Sequence, residues 1–235
     1  MIKLLGAMKR KTGMSLTDFQ SYWHEVHAPM IARSEGLLRY VQSHPIAELH
    51  GEMEQAFDGI AEAWFESIEA FENAVASPGW QDAIKDAPNF IGIGGGRILA
   101  SEVPIVDAFP SARERQANGM VKYLGFLTRK PGLSVEQFQQ HWRDVHGPLV
   151  RSEIAGMRRY VQLHTLPETY SITPAPAWDG VPEAWFDSLD AYPKRLGYPR
   201  EGPATTPGAI DSENTFVQPI PAVIAREFVI VDNID

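Results

Sequence analysis

The chain contains no cysteine. That excludes disulfide cross-links, thiolate nucleophiles and cysteine-ligated metals. Basic residues are also outnumbered: 21 Lys and Arg stand against 30 Asp and Glu, a net charge of −9. Nucleic acid or an anionic membrane surface would call for clustered Lys and Arg, so neither is an expected partner. The short basic runs Lys9-Arg10-Lys11 and Arg129-Lys130 precede glycine turns and read as solvated loop charge. No apolar run approaches the roughly 20 residues of a membrane span. Residues 1–10 lack the apolar region and small-residue cleavage site of a secretory signal, so a cytoplasmic location is expected. Ser-His-Asp order and metal-ligand spacing are missing too. The glycine-rich Gly92-Ile-Gly-Gly-Gly96 leads toward a strand rather than a helix, unlike a nucleotide loop. Neither a metal nor a cofactor is expected.

With 235 residues, 44% of them apolar, the chain can bury a core as one large domain or two smaller ones. A repeat decides between these. Phe19-Gln-Ser-Tyr-Trp23-His-Glu-Val-His27-Ala-Pro29 returns as Phe138-Gln-Gln-His-Trp142-Arg-Asp-Val-His146-Gly-Pro148. Around it, Lys3-Leu-Leu-Gly-Ala aligns with Lys122-Tyr-Leu-Gly-Phe, and Arg39-Tyr-Val-Gln-Ser-His44 with Arg159-Tyr-Val-Gln-Leu-His164. Phe57-Asp-Gly-Ile-Ala-Glu-Ala-Trp-Phe65 aligns with Trp178-Asp-Gly-Val-Pro-Glu-Ala-Trp-Phe186, and residues 98–107 align with 223–232. Two whole domains are therefore expected, residues 1–107 and 120–235, joined by a linker at 108–119.

Within each half the patterns predict strand, helix, strand, strand, helix, strand. Ser15 and Ser134 are placed to cap the first helices, and the Pro two residues after each His is expected to kink or stop them. Ser67 and Ser188 are expected to cap the second helices, ended at Ser77-Pro-Gly79 and Gly197-Tyr-Pro199. A βαββαβ order is the ferredoxin-like unit, with both helices on one sheet face. Two copies cover the other face by packing sheet on sheet. The fold expected is α+β, a tandem ferredoxin-like pair closing an intramolecular dimeric α+β barrel.

The repeated polar positions are the candidate site. Phe, Trp and His at i, i+4 and i+8 share one helix face, which puts His27 and His146 beside buried aromatics. Two-residue alternation puts Tyr40, Gln42 and His44 on one strand face, and likewise Tyr160, Gln162 and His164. An imidazole pair can supply general base and general acid, so His27, His146, His44 and His164 are candidate catalytic residues. Tyr40, Tyr160, Gln42 and Gln162 could bind a substrate oxygen, and Trp23 and Trp142 would favour a flat apolar substrate. Blander roles exist for each: a helix-end His as a cap, Tyr as sheet packing, Trp as core. Glu62 and Glu183 also align, and a single carboxylate on a strand is expected to be exposed.

The combined pattern Phe-x-x-Tyr/His-Trp-x-x-x-His-x-Pro, Arg-Tyr-Val-Gln-x-His and Asp-Gly-x-x-Glu-x-Trp-Phe resembles the EthD family, over nearly the whole chain twice. The resemblance implies the dimeric α+β barrel and a pocket in which His27 and His146 act. Similar proteins include cofactor-free decarboxylases or dehydratases of polyketide pathways and a muconolactone isomerase. Related barrels degrade haem or form quinones. The leading expectation is a cofactor-independent lyase or isomerase acting on a small aromatic, lactone or polyketide-like carbonyl compound. The alternatives are a haem-binding or oxidative enzyme, with His27 or His146 as axial ligand, and a non-catalytic protein that shields a hydrophobic metabolite. A homodimer of the two-repeat chain stays open. The halves also differ: residues 197–215 depart from the first copy's helix, Tyr22 aligns with His141, and His24 aligns with Arg143. The second site is therefore expected to be reshaped, specialised or inactive.

Overall fold

The computed structural model describes residues 1–49, 55–193 and 203–234. The first half runs β1 (Ile2–Met8), α1 (Leu16–Tyr22), α2 (Ala28–Ile31), β2 (Arg39–Pro45), β3 (Gly59–Phe65), α3 (Ile68–Ala76), α4 (Pro78–Asp86) and β4 (Gly96–Asp107). After α5 (Ala112–Ala117), the second half runs β5 (Val121–Gly125), α6 (Val135–His141), α7 (Gly147–Glu153), β6 (Met157–Thr165), β7 (Gly180–Phe186), α8 (Pro207–Thr215) and β8 (Ala222–Asp232). No described helix is long and apolar enough to cross a membrane. The expected helix end at Gly197-Tyr-Pro199 lies outside the described residues.

The eight strands close into one barrel in the order β1-β3-β2-β8-β5-β7-β6-β4. Each half contributes the ferredoxin-like order, β4-β1-β3-β2 and β8-β5-β7-β6, with antiparallel neighbours throughout. The long last strands make the closure. β4 pairs with β1 through Gly96–Ala100 and then with β6 through Ala100–Asp107. β8 likewise pairs first with β5 and then with β2. Closure leaves no open sheet edge to recruit another chain. Residues 108–119, expected as a plain linker, carry α5, whose Arg115 is buried against Glu227.

Alternation along β1 sorts its side chains. Lys3, Leu5 and Ala7 are buried, while Ile2, Leu4 and Gly6 turn to the helix side. One end of the barrel interior is apolar, built from Leu5, Ile60, Ile98, Leu124, Val161 and Val223 among others. The other end is ionic. Lys3 Nζ lies 2.7 Å from Glu62 and 2.8 Å from Glu183, and Lys122 Nζ lies 2.6 Å and 2.9 Å from the same two carboxylates. Lys122 also reaches Glu227 at 3.3 Å, and Arg115 pairs with Glu227 at 2.8 Å. Trp64 and Trp185 cover Lys3 and Lys122, with the ammonium groups 4.3 and 4.7 Å from the ring centroids.

This corrects the expected exposure of Glu62 and Glu183: both are 0% exposed. Burial opposes the charge on Glu62, but Lys122 and Lys3 outweigh it and hold the carboxyl well below its usual range. Burial also opposes the charge on Lys122, and Glu183, Glu62 and Glu227 outweigh it and push the ammonium up. Glu183 differs: burial, helped by the neighbouring Glu62 and Glu102, outweighs Lys122 and Lys3 and pushes its carboxyl up to about 7. Pairing sustains the charge on Glu62 and Lys122 against burial.

The first helix also departs from expectation, because neither Pro stops it. Between α1 and α2 the residues Trp23–His27 form a π turn, closed by the Ala28 N–H on the Trp23 carbonyl. Trp142–His146 repeats it, with the Gly147 N–H on Trp142. The wider turn takes the chain past the imidazole, and Pro29 and Pro148 fall in the first turn of the next helix, where the absent N–H costs no bond.

Truncating one member of the ionic cluster strands its partners. Lys122→Met is expected to lower the free energy of unfolding by about 3–5 kcal/mol. Urea denaturation followed by circular dichroism measures it; a loss below about 1 kcal/mol, typical of exposed pairs, would contradict the buried geometry.

Candidate functional site

The π turn sits on the sheet because of two features of the strands beneath it. Gly59 opens β3, and a Cβ there would fall 2.7 Å from Cζ3 of Trp23, so glycine lets the indole lie on the strand. Gly180 serves Trp142 in the same way. Their φ angles are not left-handed, and close approach is what requires glycine there. The second feature is Gln42. Its amide donates to the Trp23 carbonyl at 3.1 Å and to the Tyr40 hydroxyl at 3.2 Å. Gln162 does the same for Trp142 at 2.8 Å and Tyr160 at 3.4 Å.

Tyr40, Gln42 and His44 do face the helix side, as the alternation predicts, yet His44 is not the partner of His27. His44 stacks on Trp23 with centroids 4.8 Å apart, and its Nε2 meets the Gln42 carbonyl oxygen at 3.0 Å. His164 repeats this on Trp142 and Gln162. Burial, with a smaller push from His24, takes the His44 imidazole down to about 3, and burial takes His164 down to about 4. Both rings are therefore neutral at physiological pH, with Nε2–H donated to the glutamine. That arrangement locks the amide that holds the π turn.

The partner of His27 is Asp86, which sequence reasoning missed. His27 Nδ1 lies 2.9 Å from Asp86 Oδ2, and Tyr22 donates to Asp86 Oδ1 at 2.7 Å. In the second half, His146 Nδ1 lies 2.8 Å from Asp211 Oδ2, and His141 Nε2 lies 2.8 Å from Asp211 Oδ1. Asp86 ends α4 and Asp211 lies within α8. The proline- and glycine-rich stretch expected to lack this helix thus carries it: Thr206-Pro-Gly208 starts α8 as Ser77-Pro-Gly79 starts α4. That tripeptide was the available signal. The acid itself follows at a different distance in each copy, so alignment could not reveal it.

Burial lowers the His27 pKa, and Asp86 partly offsets this. With the Nδ1 proton donated to Asp86, Nε2 is left with its lone pair. A cavity of about 170 Å³ opens in front of it, between α2, α4 and the outer faces of β1 and β3. Trp23, His27, Tyr40, Trp80, Leu4, Gly6 and Ala61 are among its lining residues; Gln42 and His44 are not. The Tyr40 oxygen accepts from Trp23 Nε1 at 3.1 Å as well as from Gln42, and no described acceptor takes its proton. Burial pushes that phenol up to about 12, so it is neutral, and Tyr40 lines the apolar space.

The two depressed imidazoles make stability pH-dependent. Below pH 6.5 the unfolded chain takes up protons at His44 and His164 while the folded chain does not. Stability is therefore full above about pH 6.5 and falls as pH drops toward 4 and 3. Thermal melts from pH 7 to 4.5 are expected to show this fall, and His44→Phe to flatten part of it. A His44 or His164 imidazole NMR signal that titrates near 6.5 would contradict the assignment.

The EthD domain pattern matches residues 11–94 and 130–199. No curated protein sequence matches the chain. Among solved structures, an anthrone oxidase-like protein superposes with a TM-score of 0.67 at 12% identity, over 99% of this chain and 94% of its own. A proposed monooxygenase from Fusobacterium nucleatum gives 0.56 at 9% identity, over 97% and 92% of the two chains. Another from Lactobacillus acidophilus gives 0.53 at 13% identity, over 99% and 96%. At such identities the likeness speaks for the dimeric α+β barrel fold alone. Family membership rests on the pattern: across its two matched segments, the chain belongs to the EthD domain family.

Proposed function

We propose that this protein is a cofactor-independent enzyme that uses His27 as a general base on a small, largely apolar carbonyl compound. One observation carries the reading: His27, bonded to Asp86 through Nδ1, and Tyr40 line the same apolar cavity. Nε2 of His27 takes a proton from the carbon next to the substrate carbonyl, and Asp86 stabilises the imidazolium that forms. The electron pair moves onto the carbonyl oxygen, where the Tyr40 proton meets the developing oxyanion. Returning the proton to a different carbon gives isomerisation. Delivering it to a departing β-hydroxyl gives dehydration, with C–H and C–O bonds broken, a C=C bond formed and water released. His44 and Gln42 serve by positioning. His146, with Asp211, Tyr160, Gln162 and His164, forms the second copy of the constellation.

Size supports a substrate of one or two rings. An apolar cavity of about 150 Å³ is enough to bind benzene. The space before His27, about 170 Å³, is below the roughly 300–1,000 Å³ of sites that enclose drug-sized ligands, which speaks against haem on His27. The names of the structural neighbours favour a second reading, oxidation by dioxygen, in which the same carbanion is the electron donor. Both readings share the deprotonation at His27 and part after it. Binding with no proton transfer would instead favour a protein that shields a metabolite.

Exchange of the α-protons of 2-tetralone for deuterium, followed by NMR with metal-free protein, tests the shared step. His27→Ala is expected to slow it by about 10²–10⁴-fold, the usual worth of a general base. Equal exchange in the His27→Ala, His146→Ala double variant would overturn the proposal. Because the base must be neutral, the rate is expected to be flat above pH 6.5 and to fall only on the acid side, through the lowered His27 pKa. Dioxygen uptake in step with exchange would select the oxidative reading.

A further inference from the structure

Gly6 and Gly125 hold the same place in the two copies, yet their surroundings differ. A Cβ built on Gly6 meets no atom within 4 Å, because the cavity lies there. A Cβ on Gly125 would fall 2.7 Å from the Tyr123 hydroxyl oxygen and 3.2 Å from Pro182 Cγ. Tyr123 stands where the first copy has Leu4, and Pro182 where it has Ala61. Leu4 and Ala61 both line the first cavity.

Pairing shows that the exchange is positional and not a shift of register. Leu4 lies opposite Ala63 and Gly6 opposite Ala61, and Tyr123 lies opposite Ala184, the counterpart of Ala63. The phenol therefore projects from the same point on the same sheet face, and its hydroxyl ends over the next residue on that face. It is held there by Tyr192, whose ring stacks on it with centroids 6.3 Å apart and planes at 24°. Burial pushes both phenols up, so neither ionises to draw in water.

We infer that the Leu4/Tyr123 position sets ligand specificity: a flat one- or two-ring ligand lies over Gly6 beside His27, whereas beside His146 the Tyr123 ring takes that volume. A chain with two His–Asp pairs then binds one such ligand. The idea rests on the reading of the His27 cavity as the substrate site, and its test is binding rather than turnover.

The swap is direct. With 2-naphthol as probe, calorimetric titration of the full chain is expected to give one site per chain. Leu4→Tyr is expected to weaken it roughly tenfold or more, as extra atoms in a fitted apolar pocket do. Tyr123→Leu combined with Pro182→Ala is expected to raise the stoichiometry to two. If Leu4→Tyr does not fold, Ala61→Val fills the same floor and is expected to weaken binding in the same direction. Two equal sites in the wild-type chain, no saturable binding, or affinity insensitive to both cavity-filling variants would overturn the inference. Naphthol binding that follows the swap without any His27-dependent exchange of tetralone protons would remove the proposed chemistry and leave the specificity assignment standing. Exchange that depends on His27 while the swap fails would do the reverse.

Discussion

Lys3, Lys122, Glu62 and Glu183 meet where the two halves face each other, each within 3 Å of two opposite charges and all out of water. Two of the four contacts cross between halves, Lys3 to Glu183 and Lys122 to Glu62. A buried cluster of this kind adds little net stability over an apolar core, but any arrangement that separates its members is strongly penalised. It therefore selects one register. A strand slipped by one residue would turn Lys3 toward the helices and Leu4 into the barrel. The pocket floor depends on that choice, because Leu4, Gly6 and Ala61 face the helices only while Lys3 and Glu62 face inward.

The site is built against this frame by a helix that does not keep a regular turn. The π turn at Trp23–His27 shifts the imidazole relative to an unbroken helix, and the indole beneath it rests on Gly59. Gln42 ties the Trp23 carbonyl to the sheet, and the neutral His44 fixes the orientation of Gln42. Asp86 then reaches His27 from α4. Three separate elements thus converge on one ring. The second half repeats each contact with one substitution at a time: His141 for Tyr22, Asp211 from a differently spaced helix, Tyr123 for Leu4. A duplicated frame with diverged walls allows one protein to keep two similar His–Asp pairs over spaces of different shape.

Much of the fold was legible because its signals are local. Strand alternation, Ser15 and Ser134 as caps, and the twofold occurrence of the four strands and the first helix follow from neighbouring residues and from self-comparison. The facing of Tyr40, Gln42 and His44 toward the helices also follows from alternation. The roles within that row did not. His44 looks like a catalytic partner in a list of residues, but stacking on Trp23 and a bond to Gln42 make it a neutral support. Asp86 and Asp211 gave no motif, because the contact each makes joins residues 59 and 65 positions apart and tolerates a different place on its helix. Glu62 and Glu183 read as exposed because a charged residue on a strand gives no sign of its partner until the barrel closes.

What the sequence determined by itself is the architecture: two βαββαβ copies, each with an apolar-backed His on its first helix, and hence a barrel. Those features depend on periodicity and repetition, which are properties of the chain before it folds. Tertiary structure decided which groups meet. It brought Lys3 to Glu183 across 180 residues, gave His27 an aspartate instead of a second histidine, and left open space over Gly6 where Gly125 is covered. Burial then set the protonation of each group, and burial is a property of the closed barrel that no single stretch of residues possesses.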